Sequence, residues 1–372
     1  MNHFPSIDWD LLPGAYSLEN SAKQAFLMPY LDALTRQHYR ACVSYRNIVD
    51  QMFGGLPPIP YQKLEDLPFF PVSLFKEREL VSSPPSQIFK ILTSSGTTGQ
   101  SPSRILLDRY TADAQARALV KIMQYHLGKS RLPMIILDHP GVIRNREEFS
   151  ARGAGILGLM QFGRNPCYAL KEDMSLDLPL VANYVKQNQH ERILFFGFTF
   201  MVWQHVLKPL MASANMLNAP NGSILVHSGG WKKIESEKVS QSEFSSSAKR
   251  LLGADRVINF YGMVEQVGSV FLENEVNSLQ TPIFADVLVR HPQTLRPLAP
   301  GEPGLLQVFS MLPHSYPGHS LLTSDIGQIT GLDDLKSGAL GRHFVVLGRA
   351  PRVELRGCSD TYEHSHSIAA TR

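Results

Sequence analysis

Between residues 130 and 262 the chain alternates short, almost wholly apolar runs with stretches of helical apolar spacing. The runs at 134–137, 192–196, 223–226 and 257–260 carry no period-two alternation, and three of them stop abruptly, at Asp138, at His227 and at Tyr261. Helical spacing marks 110–127, 178–187, 200–211 and 242–252. A strand apolar on both faces must be covered on both faces. Strand–helix alternation supplies that cover with parallel strands under helices. The expected fold class is therefore α/β, with a further apolar strand at 88–92 in the same alternation.

Residues 18–53 read as one or two helices that lead into a connector holding Pro57, Pro58 and Pro60. After about residue 280 short strands at 284–290, 304–310, 326–330 and 344–347 predict a small, mostly antiparallel β subdomain. The expected division is 1–280, an α/β core with its N-terminal helical segment, then 281–347, then a short tail at 348–372. With 43% hydrophobic and 19% charged residues a large core is feasible. The net charge of +3 and the scattered Lys and Arg do not imply nucleic acid. No run of eighteen apolar residues predicts a membrane span, and the start does not read as a secretory signal. Cys42, Cys167 and Cys358 fit neither a disulfide framework nor a zinc site, so a cytoplasmic location is expected. His364 and His366 alone do not make a transition-metal site.

The run at 88–92 ends in Thr93, Ser94, Ser95, Gly96, Thr97, Thr98 and Gly99, with Arg104 shortly after. Glycines let backbone N–H groups converge on an anion, and the hydroxyls add donors. Arg104 offers charge-assisted contacts to a polyphosphate. No lysine follows the second glycine, so this is not the common phosphate-loop pattern. By composition alone the segment fits either a surface turn or a phosphate cradle.

That loop resembles the signature loop of the adenylate-forming superfamily, which includes acyl-CoA synthetases, firefly-type luciferases and peptide-synthetase adenylation domains. Further matches follow in order. Tyr261, Gly262, Met263, Val264 and Glu265 resemble its Y-G-x-T-E motif, which implies that Glu265 binds Mg²⁺ and Tyr261 lies against adenine. Thr323, Ser324 and Asp325, with Gly327, resemble the segment whose aspartate binds the ribose hydroxyls. Gly348 and Arg349, with Arg356 and Gly357, resemble the hinge, which places Arg349 at the nucleotide. The implied cofactors are ATP and Mg²⁺. Chemistry gives Glu265 an independent reason, since it is a hard oxygen ligand at the C-terminal end of a strand. Asp325 would equally suit a turn cap and Arg349 a plain surface position.

The length, the early helical segment, the stretch His227, Ser228, Gly229, Gly230, Trp231, Lys232, Lys233 and the late cysteine together resemble the acyl-protein synthetase family of bacterial bioluminescence operons. This likeness covers essentially the whole chain. It implies that a fatty acid and ATP give acyl-AMP, that the acyl group moves to Cys358, and that a reductase partner then reduces it to an aldehyde with NADPH. A thiolate attacks a mixed anhydride readily, and its thioester stays activated. A free cysteine titrates at about 8.5. Arg352, Arg356, His364 or His366 would favour the thiolate or act as base. Cys42 and Cys167 are expected to be structural.

The chain departs from the superfamily at its end. The usual C-terminal lobe of about a hundred residues carries a lysine that holds the carboxylate and the α-phosphate. Here fifteen residues follow Gly357, and no lysine follows Lys336. Ala350 and Pro351 stand where the hinge is usually acidic. The expected lobe is truncated, and Lys232 or Lys233 is assigned its charge-stabilising role. The expected catalytic set is Thr98, Lys232 and Cys358. Phe195, Phe196, Gly197, Phe198, Thr199, Phe200, Val202 and Trp203 are candidates for an acyl-pocket wall. Two other readings fit: an acyl-CoA or aryl-CoA ligase, and a non-catalytic nucleotide- or acyl-binding subunit of a reductase complex.

Overall fold

The computed structural model describes residues 7–94, 102–143, 151–231, 238–334 and 338–350. Two helices open it, α1 (Asn20–Ala41) and α2 (Val43–Phe53), parted at Cys42, whose extended backbone ends the helical geometry. Leu27, Leu31 and Leu34 fall on one side of α1 and are fully buried, the spacing of a single helical face. Then come β1 (Phe70–Pro71), α3 (Leu74–Glu77), β2 (Ile88–Thr93), β3 (Arg104–Asp108) and α4 (Arg109–Leu127). The Asp108 carboxylate caps α4 by accepting from the Thr111 N–H at 2.7 Å.

The α/β core follows as β4 (Leu132–Ile136), α5 (Ala151–Met160), β5 (Gly163–Tyr168), α6 (Leu178–Gln187), β6 (Leu194–Phe198), α7 (Thr199–Val202), α8 (Lys208–Ala212), β7 (Ile224–Ser228), α9 (Gln241–Leu252) and β8 (Arg256–Tyr261). A π-turn at Trp203–Leu207 joins α7 to α8. The strands pair in parallel in the order β5-β4-β6-β7-β8. Side chains alternate between two cores. Leu194, Phe196, Ile224 and Val226 pack with Ala118, Ile122 and Ile156 on one face. Phe195 and Leu225 pack with Val181, Phe244 and Leu251 on the other. Helices on both faces are the physical reason the runs lack polar alternation.

Beyond β8 the same sheet continues antiparallel through β9 (Phe271–Glu273), β10 (Leu279–Gln280), β11 (Ala285–Arg290), β12 (Gly304–Ser310), β13 (Ser320–Asp334) and β14 (Ala339–Arg349). Its order is β8-β9-β10-β14-β13-β12-β11, with β1 alongside β13. The α/β class and the antiparallel second half are as the sequence predicts. Three details differ. The strand at 88–92 stands outside the large sheet: β2 pairs only with β3, in a two-stranded hairpin, and Phe89 and Ile91 are exposed. Neither β3 nor the α5–β5 unit was expected. The runs at 326–330 and 344–347 are parts of the longer β13 and β14, whose register shifts near Gly327 and Gly331 blur the alternation. No described helix is long and apolar enough to cross a membrane.

Several histidines are buried in this frame. His38 and His319 stack at 5.1 Å. His38 Nε2 lies 3.0 Å from the Pro313 carbonyl, and His319 Nε2 lies 2.8 Å from Thr35 Oγ1. Burial pushes His126, His227 and His319 down to about 3, and His38 well below the usual histidine value. The unfolded chain, with histidines near 6.5, then binds more protons than the folded one between about pH 6.5 and 3. Stability is expected to hold above pH 6.5 and to fall steadily as the pH drops toward 3. Urea midpoints at a series of pH values check this, and a flat profile between pH 7 and 4.5 would contradict it.

Candidate active site

The C-terminal ends of β6, β7 and β8 lie side by side, with Phe198 beside Ser228 and Ser228 beside Phe260. Open parallel sheets place ligands at this edge. Hydroxyl residues stand at these ends: Thr199 directly after β6, Ser228 at the end of β7 and Tyr261 at the end of β8. The Ser228 hydroxyl donates to the Phe260 carbonyl at 2.8 Å, tying the ends of β7 and β8. The Thr199 hydroxyl donates to the Ser228 carbonyl at 3.2 Å and lies 2.9 Å from His227 Nδ1. With that hydroxyl proton used, the neutral ring is assigned its proton on Nδ1, donating to Thr199. Gly229 follows with φ +89°, a left-handed conformation that suits glycine, and Gly229 and Gly230 are both exposed.

At the end of β8, Tyr261 donates its hydroxyl to Asp325 Oδ2 at 2.7 Å. Arg349 Nε lies 3.3 Å from the other oxygen, Asp325 Oδ1. Asp325 and Arg349 face each other across β13 and β14. The Asp325 N–H donates to Thr323 Oγ1, whose hydroxyl donates to the Leu306 carbonyl, so the backbone that carries the carboxylate is held from its own strand. Burial, reinforced by the Asp325 charge, pushes the Tyr261 phenol well above its ordinary value, so it remains a donor. Three residues distant in sequence thus meet at one point. A carboxylate offers about four lone-pair sites. Two are engaged here, which leaves acceptors for sugar hydroxyls.

Gly262 leads from β8 into a single 3₁₀ turn, Val264–Gln266, that carries Glu265. Three elements hold the turn. The Tyr316 hydroxyl donates to the Glu265 carbonyl at 3.0 Å, and Gln115 Nε2 on α4 donates to that hydroxyl at 3.3 Å. Gln266 Nε2 donates to the carbonyls of Val308 and Gly318. Mg²⁺ is commonly held by one or two carboxylates together with substrate phosphates. Glu265 brings a hard carboxylate to this fixed turn, four residues along the chain from Tyr261, and is largely buried. Glu265 would hold the ion, which when bound neutralises phosphate charge.

Thr93, Ser94 and Arg104 stand at the neck of the β2–β3 hairpin. Thr93 pairs with Arg104, and the Ser103 N–H donates to Ser94 Oγ at 2.9 Å. Arg104 Nη1 lies 3.6 Å from Glu79 Oε2, an exposed pair that a polyphosphate would have to compete with. Ser95, Gly96, Thr97, Thr98 and Gly99 lie outside the described residues, as do Lys232, Lys233, Arg352, Arg356, Cys358, His364 and His366. Cys42 and Cys167 are both buried and free. Burial pushes the Cys167 thiol up to about 11, which suits an unreactive residue. A cleft of about 790 Å³ lined by Phe89, Arg109, Tyr110 and His314 lies at the other end of the hairpin. It is about 17 Å from the loop by strand rise, so it is separate from this site.

Sequence reasoning missed Gln115 and Tyr316, and although it singled out the stretches that hold Thr199 and Ser228, it did not assign them the role of tying the strand ends together. A signal existed for those two hydroxyls, since Thr199 directly follows β6 and Ser228 is the last residue of β7. No local pattern marks Gln115 or Tyr316, because they act through a turn roughly 50 to 150 residues away in sequence.

Comparison with known proteins identifies the family and the fold. A family model described as acyl-protein synthetase, LuxE, matches residues 7–366. The long-chain-fatty-acid–luciferin-component ligase of Vibrio harveyi is 23% identical over 332 residues, 87% of this chain and 83% of the relative. The ligase of the same name from Aliivibrio fischeri is 24% identical over 310 residues, 80% of this chain and 78% of the relative. Among solved structures, 2-hydroxyisobutyryl-CoA ligase in an open conformation with 2-HIB-AMP and CoA matches with a TM-score of 0.65 at 17% identity, covering 92% of this chain and 81% of that one. The same ligase in its postadenylation state with 2-HIB-AMP gives 0.66 at 16% identity, covering 92% and 73%. At that identity the structures share the fold. The sequence match spans nearly the whole chain, which therefore belongs to the LuxE acyl-protein synthetase family of ligases.

Proposed function

We propose that this chain activates a fatty or related carboxylic acid with ATP as an acyl-adenylate and then carries the acyl group on Cys358 for an acyl reductase. In the first step a carboxylate oxygen bonds to the α-phosphorus, the bond to the bridging oxygen breaks, and pyrophosphate leaves. In the second the Cys358 thiolate bonds to the acyl carbon, the carbon–oxygen bond to phosphate breaks, and AMP leaves with the electron pair. Asp325, oriented by Tyr261 and Arg349, receives the ribose. Glu265 receives Mg²⁺. The loop from Thr93 to Gly99 cradles the outer phosphates, and Lys232 or Lys233, beyond the Gly229–Gly230 turn, offsets charge at the α-phosphate. In this reading residues 1–280 are the adenylation core, 281–347 a β subdomain that delivers Asp325, and 348–372 a hinge-like segment with an acyl-accepting tail.

The observation that carries the reading is the contact of Tyr261, Asp325 and Arg349 at the sheet edge. It brings together residues from three separate motifs of the resemblance. The test is intact-protein mass spectrometry after incubation with ATP, Mg²⁺ and a fatty-acid panel. The expected result is an acyl adduct that hydroxylamine removes and that Cys358→Ala abolishes. Vigorous CoA-thioester formation that survives Cys358→Ala would replace the carrier role with a CoA-ligase activity.

A further inference from the structure

The sheet edge gives a direction to any acyl-adenylate bound there. The nucleoside end is fixed at β8 by Tyr261 and, from the β13–β14 side, by Asp325 and Arg349. The acyl end must therefore run the other way, over the Gly229–Gly230 turn after β7 and on to the end of β6. Strands lie about 4.8 Å apart, so β6 is about 10 Å from β8. The residue that closes β6 is Phe198.

Phe198 is half-buried, stands T-shaped to Phe196 at 5.8 Å, and packs against the cores on both faces of the sheet. Its ring is seated between two glycines. A Cβ on Gly155 of α5 would lie 2.9 Å from the Phe198 Cζ, and one on Gly229 would lie 3.4 Å from its Cδ1. Gly229 and Gly230 are both exposed, and a Cβ on Gly230 would meet nothing within 4 Å, so the turn that begins at Gly229's contact with the ring carries no side chain and is itself open. Gly155 has no positive φ, so its backbone does not call for glycine. Glycine inside a helix is unfavourable relative to alanine. The ring of Phe198 is the physical reason for its presence.

We infer that Phe198, seated between Gly155 and Gly229, determines which acyl groups the site accepts. This rests on the acid-activation reading above. The ring ends the open space beside the turn with an apolar wall of fixed size. A smaller side chain lengthens that space. A larger neighbour at 155 pushes the ring toward the turn and shortens it. The two changes act on selectivity in opposite directions, as two ordinary packing defects would not.

The experiment is acid-dependent ATP–pyrophosphate exchange with hexanoate, decanoate, tetradecanoate and a branched acid, for the wild type, Phe198→Ala, Phe198→Leu, Gly155→Ala and the Gly155→Ala/Phe198→Leu pair. The quantity read is the ratio of kcat/KM for long or branched acids to that for the short acid. Phe198→Ala is expected to raise it at least about tenfold. Gly155→Ala is expected to lower it by a similar factor, and the pair to return it toward the wild-type value. Phe198→Leu, the milder change, keeps the test readable if Phe198→Ala melts early. An active wild type whose ratio none of these variants moves would overturn the inference and leave Phe198 a packing residue. Exchange with no acid by the wild type would overturn the acid-activation reading itself, and this inference with it.

Discussion

Asp325→Ala is expected to lower kcat/KM for ATP by about 100-fold or more. Hydrogen bonds to a charged group contribute roughly 1.5–3 kcal/mol each, and two sugar hydroxyls on one carboxylate account for about two factors of ten. The geometry gives the carboxylate little freedom, with Tyr261 on one oxygen, Arg349 at the other and its own N–H tied to Thr323. Tyr261→Phe keeps the ring that packs near Phe271 and Phe344 and removes only the hydroxyl. Its expected effect is smaller, about fivefold to tenfold, because it loosens the aspartate without removing it. Pyrophosphate exchange across an ATP titration reads both. An unchanged KM and kcat for ATP in Asp325→Ala would place the nucleoside elsewhere.

The second large effect concerns the frame behind that cluster. Lys23 on α1 is fully buried, with its ammonium 3.3 Å from Asp286 Oδ2 and hydrogen-bonded to Thr281. Arg342 on β14 reaches the same aspartate, Nη1 to Oδ1 at 3.2 Å, and donates to the Val287 carbonyl at 2.7 Å. One buried carboxylate on β11 thus joins α1 to the strand that carries Arg349. Burial is the largest influence on Lys23 and pushes it down to about 8 against the pull of Asp286. Asp286→Ala leaves two cations without the anion that bridges them, and such a break costs about 3–5 kcal/mol. Lys23→Met leaves Asp286 with Arg342 and removes a desolvated charge, so it is expected to cost far less. Urea unfolding distinguishes them: a large fall in midpoint for Asp286→Ala at unchanged slope, and a small shift for Lys23→Met. Equal losses would mean that packing volume, not charge, holds α1 in place.

Much of this architecture is legible in the sequence, and what is not has physical causes. The parallel strands announce themselves because Phe195, Phe196, Leu225 and Val226 must all be apolar when helices cover both faces. Tyr261, Glu265 and Asp325 are legible through the motifs they share with the adenylate-forming superfamily, and Tyr261 and Asp325 are in contact in the fold. The α5–β5 unit is hidden: α5 holds three glycines, and β5 is an edge strand that carries Asn165 at positive φ and tolerates Pro166. The strand β2 misleads for the opposite reason. Its apolar composition reads as buried, yet the hairpin leaves Phe89 and Ile91 exposed. The resemblance assigns Asp325 and Tyr261 to one nucleotide, but their direct contact has no local signal, since 64 residues separate them and the sheet order from β8 to β13 brings them together.

The most direct measurement is ATP–pyrophosphate exchange by the intact wild-type chain with Mg²⁺ and a panel of fatty acids. The prediction is exchange that requires an acid, is strongest with a fatty acid, and falls sharply in Asp325→Ala. ATP binding without acid-dependent exchange for any acid on the panel would contradict acid activation and leave a nucleotide-binding subunit in its place.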